Sequence, residues 1–156
     1  MSESNKALAA RMPLEVFGQG RTEVIDEVVA PDFVDHGELP PGIPPGHEGL
    51  KLLVEATRSA FPDLTITIDH AIAEGDFVVQ HVINSGTMKG DFAGMPASGK
   101  HATWEAVHIA RIVGGKIVEH WDVQDQLGML QQLGFLPPPG AGRSRPETGG
   151  LDVQRR

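Results

Sequence analysis

The chain has no cysteine and no tyrosine, and its aromatic residues are six phenylalanines and two tryptophans. Without cysteine there is no disulfide, no thiol nucleophile and no thiolate metal site. Without tyrosine, a mechanism that needs a phenolic donor is closed. Basic residues are scarce beside acidic ones, 13 against 21, for a formal net charge of −8. No run of Lys or Arg precedes the terminal Arg155-Arg156. That balance argues against nucleic acid and against an anionic membrane surface as partners. No apolar run approaches membrane-spanning length, and the opening MSESNKALAA lacks the apolar centre of a signal peptide, so a bacterial-type cytoplasmic protein is expected.

Its 156 residues fit one domain, and 40% hydrophobic with 22% charged residues fit an ordinary globular composition. Ser4 to Phe17 has the spacing of a helix, which Pro13 kinks or splits. Arg21 to Ala30 is a second helix carrying Val24, Ile25, Val28 and Val29 on one side. Asp32 to Gly37 is a short strand or turn that brings His36 inward. The segment from Glu38 to Gly46 is too proline-rich for regular structure and serves as a rigid connector or as cover for a pocket mouth. His47 to Phe61 is the strongest helix, with Leu50, Leu53, Val54, Thr57 and Phe61 as its stripe and Pro62 as its stop. Strands follow over Leu64–Ala73 and Phe77–Thr87, then a glycine-rich link from Met88 to Lys100. A final helical turn covers Leu127–Leu133. The domain is expected to span residues 1–136. The segment 137–156 has almost no apolar residues and is expected to be disordered.

The stretch from His101 to Asp125 is two strands around Gly114-Gly115, a hairpin signal. A two-residue loop pairs Val113 with Lys116 and sends His108 and Asp122 to opposite faces. A three-residue loop pairs Ile112 with Lys116 and uses Gly115 at the left-handed position of a G1 bulge. The second register is preferred here because it employs that glycine. His108 then faces His120 and lies diagonal to Asp122, roughly 7–8 Å away. One face carries Trp104, Ala106, His108, Ala110, Val118, His120, Asp122 and Gln124, and its alanines leave the space a pocket needs. The other carries Val107, Ile109, Ile117, Trp121 and Val123. Periodicity alone permits the opposite reading, in which the histidines and Asp122 sit on a wet sheet surface.

Three helices followed by an antiparallel meander define an α+β fold, with helices packed over the concave face of a curved sheet. Such a cone encloses a cavity suited to a small ligand. Of the seven histidines, His36, His81, His108 and His120 are candidates to converge there. No His-x-His or His-x₃-His spacing supports a metal site, so none is expected; His47, His70 and His101 read as peripheral. Phe61, Phe77, Phe92, Met88 and Met95 read as core or pocket lining.

Five segments together resemble the SnoaL-like polyketide cyclases (ester cyclases) of the NTF2-like superfamily. They are APDFVDHG (30–37), AFPDL (60–64), AEGDFVV (73–79), SGTMKGDFAGMPASGK (85–100) and GGKIVEHWDVQDQLGMLQQLG (114–134). The resemblance implies the NTF2-like cone and cofactor-independent acid/base catalysis, an intramolecular aldol condensation on a small apolar carbonyl substrate. It implies Asp122 as general base, fourteen positions after an assisting His108. Burial of Asp122 beside Trp104 is expected to strengthen that base. Substrate contacts are expected from His36, Phe61, His81, Met88, Phe92, Met95, Trp104 and His120. The family's pocket tyrosine is absent, and Ala106 stands where the named cyclases carry glutamine. The outer face, by the same resemblance, suits a homodimer.

The fold hosts other chemistry. Ketosteroid isomerases and scytalone dehydratases rely on tyrosines, which argues against both. Epoxide hydrolases need an Asp-Arg-Asp set, and Arg111 falls on the wrong face. Assisted hydroxylation of a polyketide and a non-catalytic binding or partner subunit remain as alternatives.

Overall fold

A computed structural model describes residues 2–140; part of the expected C-terminal tail, 141–156, lies outside the described residues. The chain begins with helix α1 (Ser2–Arg11), which passes without a break into a π-helical turn, Met12–Phe17. Pro13 lies in that turn and has no N–H to give an α-helical ladder, so the kink takes the form of a wider winding. Helix α2 (Glu23–Val28) is shorter than its apolar pattern suggested. Val29 is already extended, and strand β1 (Val29–Asp35) starts on the next step. Helix α3 (Gly46–Ala60) keeps its apolar stripe, with Leu50 and Val54 buried. Near its end, Arg58 donates from Nη1 to the carbonyls of Phe17 and Gly18 at 2.9 and 2.8 Å, tying α3 to the end of the π turn.

Strands β2 (Thr65–Glu74), β3 (Phe77–Thr87), β4 (His101–Val113) and β5 (Lys116–Gln124) form an antiparallel meander. β1 joins its far edge parallel to β5, giving the order β1-β5-β4-β3-β2. Helix α4 (Gln126–Leu133) closes the end of the chain. Its N-cap Asp125 accepts from the Gly128 amide at 2.9 Å, and Gln132 brackets the Thr103 backbone with two bonds of 2.8 Å. The expected cone of curved sheet and covering helices is present, with α4 as a fourth helix.

The β4–β5 hairpin differs from the expected register. Gly114 and Gly115 have φ of 59° and 73°, the pair of positive values that a two-residue type I′ turn requires, and Val113 pairs with Lys116. The extra residue sits inside β5 instead. Ile112 pairs with Ile117, but Arg111 pairs with Glu119, so Val118 is a bulge. The bulge restores the phase that the short turn would have lost. His108 and Asp122 are therefore on one face, directly opposite each other and not diagonal. Ile117, expected on the outer face, turns inward and is buried in the core.

A second bulge lies in β2, where Ile68 pairs with Val82 but His70 pairs with His81, leaving Asp69 over. Beyond it the faces exchange: Ala73 packs on the core and Ile72 is 65% exposed.

Two cores hold the layers together. One joins α1, the π turn, α2 and α3 to the sheet through Val16, Ile25, Val54, Val78 and Ile112. The other, at the opposite end, gathers Phe61, Leu64, Met88, Trp104 and Leu133. Truncating a fully buried member such as Val78 or Leu133 is expected to remove about 1–5 kcal/mol of stability.

Candidate active site

A cavity of about 260 Å³ lies between the helices and the concave face, bounded by members of both cores. One end is aromatic. Phe61 packs against Phe92 and Trp104 with ring centroids 6.4 and 5.4 Å away, and all three line the cavity. The main polar row comes from three central strands. The ladder sets Gln80 of β3 opposite His108 of β4, and His108 opposite Asp122 of β5. Next to this row, Ala110 faces His120, and His120 pairs with Asp35 of β1. All of these side chains line the cavity. Glu38, Leu39 and Pro40 of the proline-rich segment line it too, so that segment covers the pocket as well as connecting strand to helix.

The polar groups form a chain. Asp35 Oδ1 lies 2.9 Å from His120 Nδ1, and His120 Nε2 lies 3.0 Å from His108 Nδ1. The two rings stack with centroids 5.2 Å apart. Burial lowers the His108 pKa to about 4, and the neighbouring His120 pushes the same way against the pull of Asp122 and Asp35. His108 is thus neutral near pH 7. For Asp35, burial works to raise the pKa but is outweighed by the His120 bond and charge and by the Gly37 amide. Its carboxyl is held below the usual range. Asp122 accepts from Gln124 Nε2 at 3.0 Å. Gly37 makes the approach of β1 possible: a Cβ there would meet Asp122 Oδ1 at 2.1 Å.

Two buried donors in the cavity wall, Gln80 Nε2 and Trp104 Nε1, have no hydrogen-bond partner among the described residues. A buried unpaired donor carries a desolvation cost of about 1–3 kcal/mol, which a ligand acceptor relieves. Asp35, His120 and Asp122 also present atoms within 4.8 Å of one another, a possible cation set. Both ring nitrogens of His120 are already committed to Asp35 and His108.

Of the residues expected here from sequence, Asp122, His108, His120, Phe61, Phe92 and Trp104 line the cavity. Four do not. His36 lies on the convex face, stacked on Trp121 at 4.7 Å with Nε2 2.9 Å from Glu119. Strand alternation explains this: Phe33 faces the cavity, so Asp35 does as well, and His36 cannot. His81 also points outward, because its neighbour Val82 is fully buried. Met88 is fully buried in the second core rather than in the cavity wall. Met95 pairs through its backbone with Phe92, whose ring forms the wall. Asp35 and Gln80 were missed. The phase of Phe33 signals the first; nothing in the sequence alone singles out the second from other inward β3 positions.

A cone-shaped α+β cavity with acid/base groups on its sheet defines a small-molecule site of the NTF2-like type. The chain belongs to the SnoaL-like polyketide cyclase family, which it matches over residues 7–133. It is 34% identical over 130 residues to the nogalonic acid methyl ester cyclase of Streptomyces nogalater, covering 83% of this chain and 97% of that one. Over 127 residues it is 31% identical to the aklanonic acid methyl ester cyclase DauD of Streptomyces sp. (strain C5), covering 80% and 78%. Among solved structures it is similar to TsrD from Streptomyces laurentii, with a TM-score of 0.79, 29% identity, and coverage of 87% and 98%. These relatives make it a polyketide cyclase-like enzyme of small-molecule substrates. No helix among the described residues is long and apolar enough to cross a membrane.

Proposed function

We propose that this protein closes a ring by intramolecular aldol condensation of a polyketide-type ester, with Asp122 as general base and His108 assisting. The observation that supports this reading is the row Gln80–His108–Asp122, set in the wall of an otherwise largely apolar cavity. Asp122 takes a proton from carbon between two carbonyls. The resulting enolate carbon attacks a second carbonyl of the same molecule, and the alkoxide so formed recovers the proton. The sum is an isomerisation with no group gained or lost. Substrate oxygens offer acceptors to Gln80 Nε2 and Trp104 Nε1, while Phe61, Phe92 and Trp104 take the ring system. Stabilising the enolate and alkoxide in a dry site is where such donors contribute most.

The working unit in this proposal is a homodimer through the convex face, which carries Val107, Trp121 and Val123 together with the outward Ile72 and Phe77. Val123 is 75% and Ile72 65% exposed, and a contiguous exposed apolar patch marks an interaction surface.

The test uses polyketide methyl esters and simpler β-dicarbonyl compounds, following deuterium exchange at the acidic carbon. Exchange above the buffer rate is expected, and Asp122→Asn should reduce kcat by about 10²–10⁴ with ligand binding little changed. His108→Ala should cost less. Equal exchange in Asp122→Asn and wild type would remove Asp122 as base and favour a binding role.

A further inference from the structure

We propose that the convex face carries a site for a divalent transition-metal ion of the zinc class, formed by Asp69, His70 and His81. It lies on the side of the sheet away from the cavity and does not depend on the cyclase reading.

The β2 bulge builds it. Because Asp69 is the residue left over, it and His70 both serve the outer side, and His70 pairs directly with His81 across the ladder. The atoms then converge. His70 Nδ1 lies 2.9 Å and His81 Nδ1 3.3 Å from the same oxygen, Asp69 Oδ2, and the two Nδ1 atoms are 3.4 Å apart. Zinc bonds of about 2.0–2.1 Å place neighbouring tetrahedral ligands about 3.3–3.4 Å apart, and the same bonds at right angles give about 2.9 Å. The triangle is thus the size of one face of a first-row metal's coordination shell.

Protons do not satisfy this arrangement as well as a cation does. The three atoms make three mutual contacts, yet each neutral imidazole has at most one hydrogen at Nδ1. If both carry it, the two N–H groups confront each other. If one does, the second nitrogen turns a lone pair to the carboxylate. A cation at the centre accepts a lone pair from all three.

A supporting carboxylate is also present. His81 Nε2, the nitrogen facing away from the cluster, is 3.7 Å from Glu105 Oε1 of β4. That is ion-pair range but too long for a hydrogen bond, and a negative charge behind a ligating imidazole favours its hold on a cation. Two imidazoles select zinc-class ions over magnesium or calcium, which prefer an all-oxygen shell. β2 is the sheet edge, and His70 and Asp69 are exposed in the single chain, so water, or a side chain of the second copy in the proposed dimer, completes the coordination.

The test is titration of tag-free, chelator-stripped full-length protein with zinc chloride by calorimetry, and with cobalt chloride by visible absorption. Saturable binding is expected, weakened at least about tenfold in each of Asp69→Asn, His70→Ala and His81→Ala, and by a smaller factor in Glu105→Gln. Thermal unfolding without metal checks that each variant is folded. The double variant His120→Gln/Asp122→Asn should bind as wild type, which separates this site from the cavity cluster. Absence of saturable binding overturns the proposal, as does wild-type affinity in any variant of the three ligands. Wild-type affinity in Glu105→Gln removes that residue from the site.

Discussion

His108 Nδ1 and His120 Nε2 face each other at 3.0 Å, so one proton lies between them and its owner decides what His108 presents to the cavity. With His120 Nδ1–H donating to Asp35, a neutral His120 accepts from His108, whose Nε2 is left with a lone pair. One more proton on the His120–Asp35 pair reverses the direction, and His108 Nε2 becomes a donor. The same imidazole serves as acceptor or donor without itself becoming charged, in keeping with its depressed pKa.

Asp35 is on this account a positioning residue. Asp35→Asn removes the carboxylate that fixes the His120 tautomer and is expected to lower kcat about 10-fold or more. KM should change little, and the pH profile of kcat should move. An unchanged profile with an unchanged kcat would assign Asp35 a structural role only.

His108 also makes stability depend on pH. In the unfolded chain its pKa is near 6.5, and in the folded protein it falls to about 4. Between these values the unfolded state binds more protons. The stabilisation is therefore complete above pH 6.5 and is lost as pH falls toward 4. The span corresponds to a change on the order of 3 kcal/mol. Asp35 has the same sign, its contribution disappearing as pH drops through its lowered pKa. Urea unfolding between pH 4 and 8 should show this slope in wild type and a shallower one in His108→Gln.

Gly37→Ala is expected to harm catalysis more than folding. Its methyl would overlap Asp122 Oδ1 and stand 3.1 Å from Asp35 Oδ1, so Asp122 at least must move. A displacement of about 1 Å at a reacting group costs on the order of 10²-fold in rate. Stability should change by no more than about 1 kcal/mol, since the residue lies beyond the end of β1 and outside both cores. Parallel kcat and thermal-melt measurements check this.

The proposed dimer is tested by Val123→Lys combined with Val107→Glu. Sedimentation of wild type at micromolar concentration should give the dimer mass, and the double variant the monomer. The interface should bury roughly 1,200–2,000 Å².

Much of the scaffold was legible because its signals are local. The stripe Leu50, Leu53, Val54 and Thr57 identifies α3, and the Glu74–Asp76 turn marks the start of β3 at Phe77. The parallel pairing of β1 with β5 leaves no such trace, because both partners are short and far apart in the chain. The site was legible in its central pair but not in its register. Gly114-Gly115 suits either turn, and what decides between them is the burial of Ile117, which demands a bulge at Val118. In β1 the residue type points to His36, whereas the inward phase of Phe33 points to Asp35. The Asp69–His70–His81 cluster has no tell-tale spacing because a bulge and a ladder, not a helix turn, bring it together.

The Val118 bulge makes the active site a matter of parity. Asp122 reaches the cavity because an even turn is followed by an odd insertion, and either one alone would put the carboxylate on the back of the sheet. Loss of the single residue Val118 would leave a hairpin with the same turn but an inverted inventory, Trp121 inside and Asp122 out. Relatives that differ by one residue in this short span can thus share nearly every letter of the motif and present a different chemistry to the same cavity.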